Sequence, residues 1–348
     1  SSSSIISNIT ILSCQMSQPK YSLIIPLYNR PDEIKELLDR VGAMQTNTPF
    51  EIIIVEDGSF IPSKELVLAY KNKLSISYYS KPNSGPGLSR NHGAQYATGE
   101  FLIFLDSDVV LPKDYLNEVD NSLLKNPLDA FGGPDCADDS FTPIQKSINY
   151  SMTSIFTTGG IRNKKKGFEK FHPRSFNMGI RATAFQQLGG FSELRFGEDI
   201  DFSIRLIDNG FKTGLIEKAF VYHKRRTDFK KFFKQVYNSG VARIVLYKMY
   251  PQSLKLVHFL PSVFTLGLLL GLIAGSWFYS LLIIITIFPL LILVDATKQE
   301  KSLRVGLLAI IASYVQLIGY GLGFIVSYWK NIIQGKQYQK AFVKKFYD

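Results

Sequence analysis

The chain has only two cysteines, no internal repeats and too few acids to balance its bases. Cys14 and Cys136 in 348 residues cannot build a disulfide framework, so the sequence gives no sign of an oxidising compartment. Forty Lys and Arg face 29 Asp and Glu, a formal charge of +11. That excess suits nucleic acid, anionic lipid or a phosphorylated substrate. Nucleic acid is disfavoured, because much of the excess lies beside hydrophobic spans, where anionic headgroups account for it. The first residues, 1–15, lack an initiator Met and a basic n-region, and their apolar run is too short for a signal peptide. Met16 is the expected start of translation. Residues 1–19 are therefore expected to be an extension, disordered or of non-native origin. Apolar content is 46% but uneven: the chain reads as soluble to about residue 255 and largely apolar beyond it.

What is present centres on Phe101-Leu102-Ile103-Phe104-Leu105, followed by Asp106-Ser107-Asp108. Five apolar residues of aromatic and branched type read as a strand buried on both faces. In an open α/β sheet, ligands collect beyond the carboxyl ends of the strands, which is where the two carboxylates fall. Two acids so close repel unless a cation lies between them, and Mg²⁺ or Mn²⁺ favours carboxylate oxygen. A solvated acidic turn would look the same in isolation.

Its surroundings favour the first reading. Tyr21–Leu27 predicts a strand, and Pro31 opens a helix whose stripe is Ile34, Leu37, Leu38 and Val41. Residues 51–55 predict a second buried strand, ending in Glu56-Asp57-Gly58-Ser59. A helix over 63–73, a strand over 76–80 and a helix opened by Gly85-Pro86-Gly87 follow. This alternation implies βαβ units and a mostly parallel sheet. Three strand ends then carry polar clusters, at Tyr28-Asn29-Arg30, Glu56-Asp57 and Asp106-Ser107-Asp108, and one crevice would collect all three.

Pro26-Leu27-Tyr28-Asn29-Arg30, Val55-Glu56-Asp57-Gly58-Ser59, Ser89-Arg90-Asn91-His92-Gly93 and Asp106-Ser107-Asp108 resemble the ordered motifs of family 2 glycosyltransferases. The resemblance covers roughly residues 20–223. It implies a GT-A fold, a Rossmann-like nucleotide-sugar domain. It also implies that Asp57 bonds the base, typically uracil, that Pro26 and Tyr28 line the base pocket, and that Arg30 and Arg90 help hold the nucleotide. Asp106 and Asp108 would serve ribose and metal. Glu56 departs from the family's usual Asp but leaves the key carboxylate in place.

The second half of the soluble region is less regular. Phe131-Gly132-Gly133-Pro134 ends a strand, and 143–156 predicts a helix. Arg162 and Lys164-Lys165-Lys166 read as a solvated loop or as a cover for diphosphate or headgroups. Asn177, Met178 and Gly179 resemble the family segment beneath the donor sugar, where Gly179 would permit close backbone approach. Gly197-Glu198-Asp199 opens a helix whose inward positions are Ile200, Ile204 and Ile207. Acids in a first turn complement the helix dipole. The pair also resembles the family's acidic motif, on which Asp199 is the catalytic base of an inverting enzyme and Glu198 a neighbour without an assigned role. Like-charge repulsion from Glu198 would raise the pKa of Asp199. His223, after a strand-like run, matches the position that completes the metal site in many GT-A enzymes.

Residues 228–250 carry a sustained i, i+3, i+4 apolar stripe with Lys230, Lys231, Lys234 and Arg243 beside it. The expected element, over 227–255, is an amphipathic helix lying in the membrane interface. Residues 256–330 hold about three membrane segments: two spans within 256–294 and a third over 305–329. Trp277 and Tyr279 would anchor the first turn at the interface. Lys298, Lys301 and Arg304 place the next linker in the cytoplasm, and the basic tail, 331–348, asks to be there too. Three full crossings would put that tail outside. Gly319, Gly321 and Gly323 would allow a broken third segment to resolve the conflict.

The sequence thus predicts a GT-A α/β domain over 20–226, anchored at the inner membrane and facing the cytoplasm. It would move a hexosyl or related sugar from a nucleotide diphosphate donor, with UDP-sugar the first choice, to a hydroxyl of a lipid-linked or envelope glycan. A divalent metal, Mn²⁺ or Mg²⁺, is the expected cofactor, and membrane lipids are expected partners. A polyprenyl-phosphate glycosyltransferase and a non-catalytic membrane scaffold are the alternatives. A processive synthase is disfavoured by the missing Gln-x-x-Arg-Trp motif.

Overall fold

The computed structural model describes residues 18–136, 141–158, 171–194, 196–223, 227–274 and 279–335. The expectations for residues 1–17, Arg162, the Lys164–Lys166 run, Trp277 and most of the basic tail lie outside them.

Strand β1 (Tyr21–Leu27) leads to α1 (Pro31–Gly42), β2 (Phe50–Asp57), a short α2 (Lys64–Leu68), β3 (Ile76–Lys81), α3 (Pro86–Ala94) and β4 (Phe101–Leu105). Next come β5 (Val109–Val110), α4 (Tyr115–Lys125), β6 (Ala130–Gly132), β7 (Asp135–Cys136), α5 (Pro143–Thr153) and α6 (Ile155–Thr158). The α/β part closes with β8 (Asn177–Arg181), α7 (Ala182–Gln187), α8 (Glu198–Asp208), β9 (Thr213–Leu215) and β10 (Val221–His223). Four helices follow: α9 (Phe229–Met249), α10 (Leu260–Ala274), α11 (Tyr279–Glu300) and α12 (Leu303–Tyr328), with a 3-10 turn, Leu256–Phe259, before α10.

The continuous apolar strands are explained by cover on both faces. Leu23, Ile25, Ile52, Ile54 and Ile103 pack with Leu37 and Leu38 of α1 and Tyr115 and Val119 of α4. Ile24, Ile53, Val55 and Phe104 face the other way, onto Phe185, Phe191 and Phe202. The seven-stranded order is β3-β2-β1-β4-β8-β6-β9. Strands β3, β2, β1 and β4 run parallel, but β8 is antiparallel to both β4 and β6. The sheet is mostly parallel, as expected, with β8 alone reversed: the chain re-enters from the crevice end, where Asn177 pairs with Leu105. The order turns at β1 and β4, which places a crevice beyond their carboxyl ends. A second sheet, β5-β10-β7, sets His223 opposite Val109 at its rim.

Two features of the helices add to the expectation. The apolar stripe of α9 packs on α12: Phe232, Val236 and Ala312 share a core with Ile148 and Met152 of α5. The glycines do not break the last helix, which is continuous over Leu303–Tyr328. They let neighbours close in. A Cβ on Gly319 would lie 2.6 Å from Val236 Cγ2, on Gly321 2.5 Å from the Pro261 carbonyl, and on Gly323 2.1 Å from the Tyr237 carbonyl. Gly240 of α9 answers them, with 2.2 Å to the Tyr320 carbonyl. Contacts rise together in number, from Val236 beside Gly319 to Ser327 Oγ donating to the Val241 carbonyl at 3.2 Å, so α9 and α12 run parallel. Among the described residues, Leu256–Ile273 and Leu303–Ile333 are long and apolar enough to cross a membrane.

Candidate active site

Asp106 and Asp108 leave β4 into the crevice, and β10 brings His223 to them. One ligand atom from each lies within 4.8 Å of the others, a spacing that a single divalent cation bridges. His223 Nε2 is 3.1 Å from Asp108 Oδ1, and its ring stacks on Phe176 at 5.1 Å, which fixes its orientation. The two oxygens and one imidazole suit Mn²⁺ or Mg²⁺. Guanidinium groups neutralise the acids from the other side. Arg30 reaches Asp108 Oδ2 at 3.0 Å and Glu33 at 2.8 Å, while Arg90 reaches Asp106 Oδ1 at 2.6 Å.

At the end of β2, the chain binds its own turn. Asp57 is 1% exposed; it accepts from the Ser84 N–H at 2.9 Å, the Gly85 N–H at 2.8 Å and the Lys81 ammonium. Its carboxylate thus shapes the loop that opens α3. Glu56 is equally buried, accepting from the Ser63 N–H and the Tyr78 hydroxyl, both at 2.8 Å. Pro26 and Tyr28 are half-buried at the crevice, and Tyr28 meets the 82%-exposed Phe60 edge-on at 6.4 Å.

Gly197 caps α8 with φ +82°, a backbone that favours glycine, and delivers the acidic pair into the crevice. Glu198 sits 3.3 Å from Arg90, which therefore links it to Asp106. Burial, then repulsion from Asp199, push the Glu198 carboxyl up to about 7 against the pull of Arg90. Burial also pushes Asp199 up, but Arg174, at 2.6 Å, outweighs it and holds that carboxyl below its ordinary value. The Ile200 N–H donates to Asp199 at 2.9 Å. The expected direction is thus reversed, because a guanidinium meets Asp199 directly: Glu198, not Asp199, carries the raised pKa.

The three residues expected beneath the donor sugar lie buried on β8, which enters the sheet from the crevice end. Asn177 is fully buried, accepting from Tyr115 at 2.6 Å and donating to the Ala219 carbonyl at 2.8 Å. Met178 is core, and Gly179 makes room for the Phe131 ring, 2.1 Å from where a Cβ would be. Sequence reasoning passed over Lys81 and Arg174.

Arg30, Asp108, Arg174, Glu198 and Asp199 line one cavity of about 900 Å³.

Residues 22–189, just under half of the chain, match the model for glycosyl transferase family 2. That stretch is a family 2 glycosyltransferase domain. TarS of Staphylococcus aureus, a poly(ribitol-phosphate) beta-N-acetylglucosaminyltransferase, is 36% identical over 102 residues, covering 28% of this chain and 18% of TarS. An uncharacterized glycosyltransferase of Rickettsia conorii is 40% identical over 99 residues, 28% of this chain and 16% of the relative. The O-antigen chain rhamnosyltransferase WbaN of Salmonella anatum is 24% identical over 229 residues, 64% of this chain and 72% of WbaN. The chain thus spans about a sixth of the length of the Rickettsia and Staphylococcus relatives. The mannosyltransferase PcManGT of Pyrobaculum calidifontis, solved with GDP-Man and Mn²⁺, shares the fold. Its TM-score is 0.61 at 14% identity, over 85% of this chain and 87% of that one. The glycosyltransferase domain is therefore GT-A, a mixed α/β sheet with its crevice at the strand ends.

Proposed function

We propose that this glycosyltransferase moves a sugar, with inversion, from a UDP-sugar to a hydroxyl of a lipid-linked or envelope glycan at the cytoplasmic face of the inner membrane. The observation that carries the reading is the meeting of Asp106, Asp108 and His223 with the Glu198–Asp199 pair across one crevice. Pro26, Tyr28 and the Asp57 turn form the base end, and Arg30 and Arg90 flank the diphosphate. Asp106, Asp108 and His223 would hold Mn²⁺ or Mg²⁺, which when bound neutralises charge on the departing diphosphate. Asp199 takes the acceptor proton, oriented by Arg174 and the Ile200 N–H. The relatives named for N-acetylglucosamine transfer to poly(ribitol-phosphate) and for rhamnose transfer in an O-antigen chain support a polymeric glycan as the acceptor. Intact carboxylates at every motif count against a scaffold.

Glu198 supports a second reading, since a base with a pKa near the working pH is the more effective one. Asp199→Asn and Glu198→Gln separate them at saturating donor and metal. Asp199→Asn is expected to keep UDP-sugar affinity while transfer falls at least about a hundredfold, with a smaller loss for Glu198→Gln. The opposite order makes Glu198 the base. Near wild-type transfer by both would favour an already ionised polyprenyl-phosphate acceptor.

A further inference from the structure

The cavity beside Asp199 extends beyond the α/β domain, between α9, α12 and the 3-10 turn before α10. Its α/β wall carries the four acids Glu33, Asp108, Glu198 and Asp199, with Arg30 paired to Glu33 and Asp108 and Arg174 to Asp199. Its helical wall carries Lys231, Lys234, Arg243 and His258, and no acid among the described residues lining it. The two walls meet closely: the position of a Cβ on Gly197 lies 3.5 Å from Ala242. Arg243 is the odd group there. Its Nε is buried without a hydrogen-bond partner, and among the described residues no carboxylate pairs with it. The Tyr320 hydroxyl and His258 line the cavity beside it.

A guanidinium placed in a wall without an anion is costly unless one arrives, and its planar fork matches phosphate oxygens. The same wall continues into Val257 and Pro261 at the start of α10. Leu256, Leu260 and Val263 around them are 89%, 54% and 63% exposed. An apolar tail therefore has a path from the cavity onto an exposed apolar surface.

We propose that the helical wall, centred on Arg243, receives the phosphate or diphosphate of a lipid carrier on which the sugar acceptor is built. The inference rests on the transferase reading and names the acceptor's anionic handle.

The test is binding of farnesyl diphosphate to the full chain in non-ionic detergent with EDTA, beside inorganic diphosphate and farnesol. Wild type should bind farnesyl diphosphate more tightly than either fragment. Arg243→Gln should weaken it at least about tenfold, and Arg243→Lys, which keeps the charge without the fork, should restore only part of the loss. Tyr320→Phe, which removes one hydroxyl and keeps the ring, should weaken it severalfold and decides the matter if Arg243→Gln does not fold. Lys35→Gln, on the exposed face of α1 and outside the cavity, should bind as wild type does. Unchanged binding by the Arg243 and Tyr320 variants, an equal loss in Lys35→Gln, or equal affinity for inorganic diphosphate would each overturn the proposal. UDP binding with Mn²⁺, measured on the same preparations, reports the donor reading separately.

Discussion

Glu198 and Asp199 are adjacent carboxylates driven in opposite directions by what each one touches. Burial and its neighbour raise Glu198 to about 7 from an ordinary value of 4.5, while Arg174 keeps Asp199 low. A raised carboxylate means that the folded chain binds more protons than the unfolded one between those two values. Its stability therefore falls as pH rises through that window. Glu198→Gln mimics the neutral form and removes the penalty. It should be more stable than wild type at pH 8 by on the order of 2–3 kcal/mol, with the curves converging below about pH 5. Thermal unfolding at both pH values checks this; a wild type that is the more stable at pH 8 would mean that Arg90 compensates the buried charge fully.

At the scale of elements, the tightest fit is that of α9 against α12. Gly240→Val would force a side chain onto the Tyr320 carbonyl and push two parallel helices apart. A loss of roughly 1–3 kcal/mol is expected, read as a lower unfolding temperature in detergent. A variant as stable as wild type would mean that the helices can slide. The strands and the crevice were legible because an apolar run ending in carboxylates suits a buried strand that opens on a crevice, and little else. Asp106, Asp108, His223, Glu198 and Asp199 do meet in space. The reversal of β8 was not legible, since a short run such as Asn177–Arg181 carries no direction. Nor was the partner of α9: an i, i+3, i+4 stripe suits another helix as well as lipid. The glycines of α12 misled for a related reason, because spacing shows where a backbone is bare and not what approaches it.

At the scale of the molecule, the pairing of α9 with α12 bears on how the chain meets a membrane. Lys230, Lys231, Lys234 and Lys248 are exposed along α9, at both ends of the parallel contact. Hydrocarbon around that pair would cost about 2.5–3.5 kcal/mol for each buried lysine by insertion scales. Helix α12 is therefore predicted to lie at headgroup level beside α9, leaving α10 and α11 as the pair that enters the bilayer. Asp295, bonded to Tyr150 of α5 at 2.6 Å, returns the end of α11 to the catalytic side. Two crossings would keep the chain after α12 on the side of the catalytic domain, the proposed cytoplasmic face, with its lysines, as the charge bias asks. Gly335→Cys, with Cys14 and Cys136 replaced, should be labelled by an impermeant maleimide in inverted vesicles and not in intact cells. Labelling in intact cells alone would restore a third crossing.

The most direct measurement is UDP release from a panel of UDP-sugars by the full chain in detergent, with Mn²⁺ and a membrane-lipid extract. One donor is predicted to be consumed, with its sugar appearing on the extracted lipid. EDTA should stop the release, and Asp108→Asn should abolish it. Undiminished release in EDTA or by Asp108→Asn, or no consumption of any donor, would contradict a metal-dependent sugar transfer in this crevice.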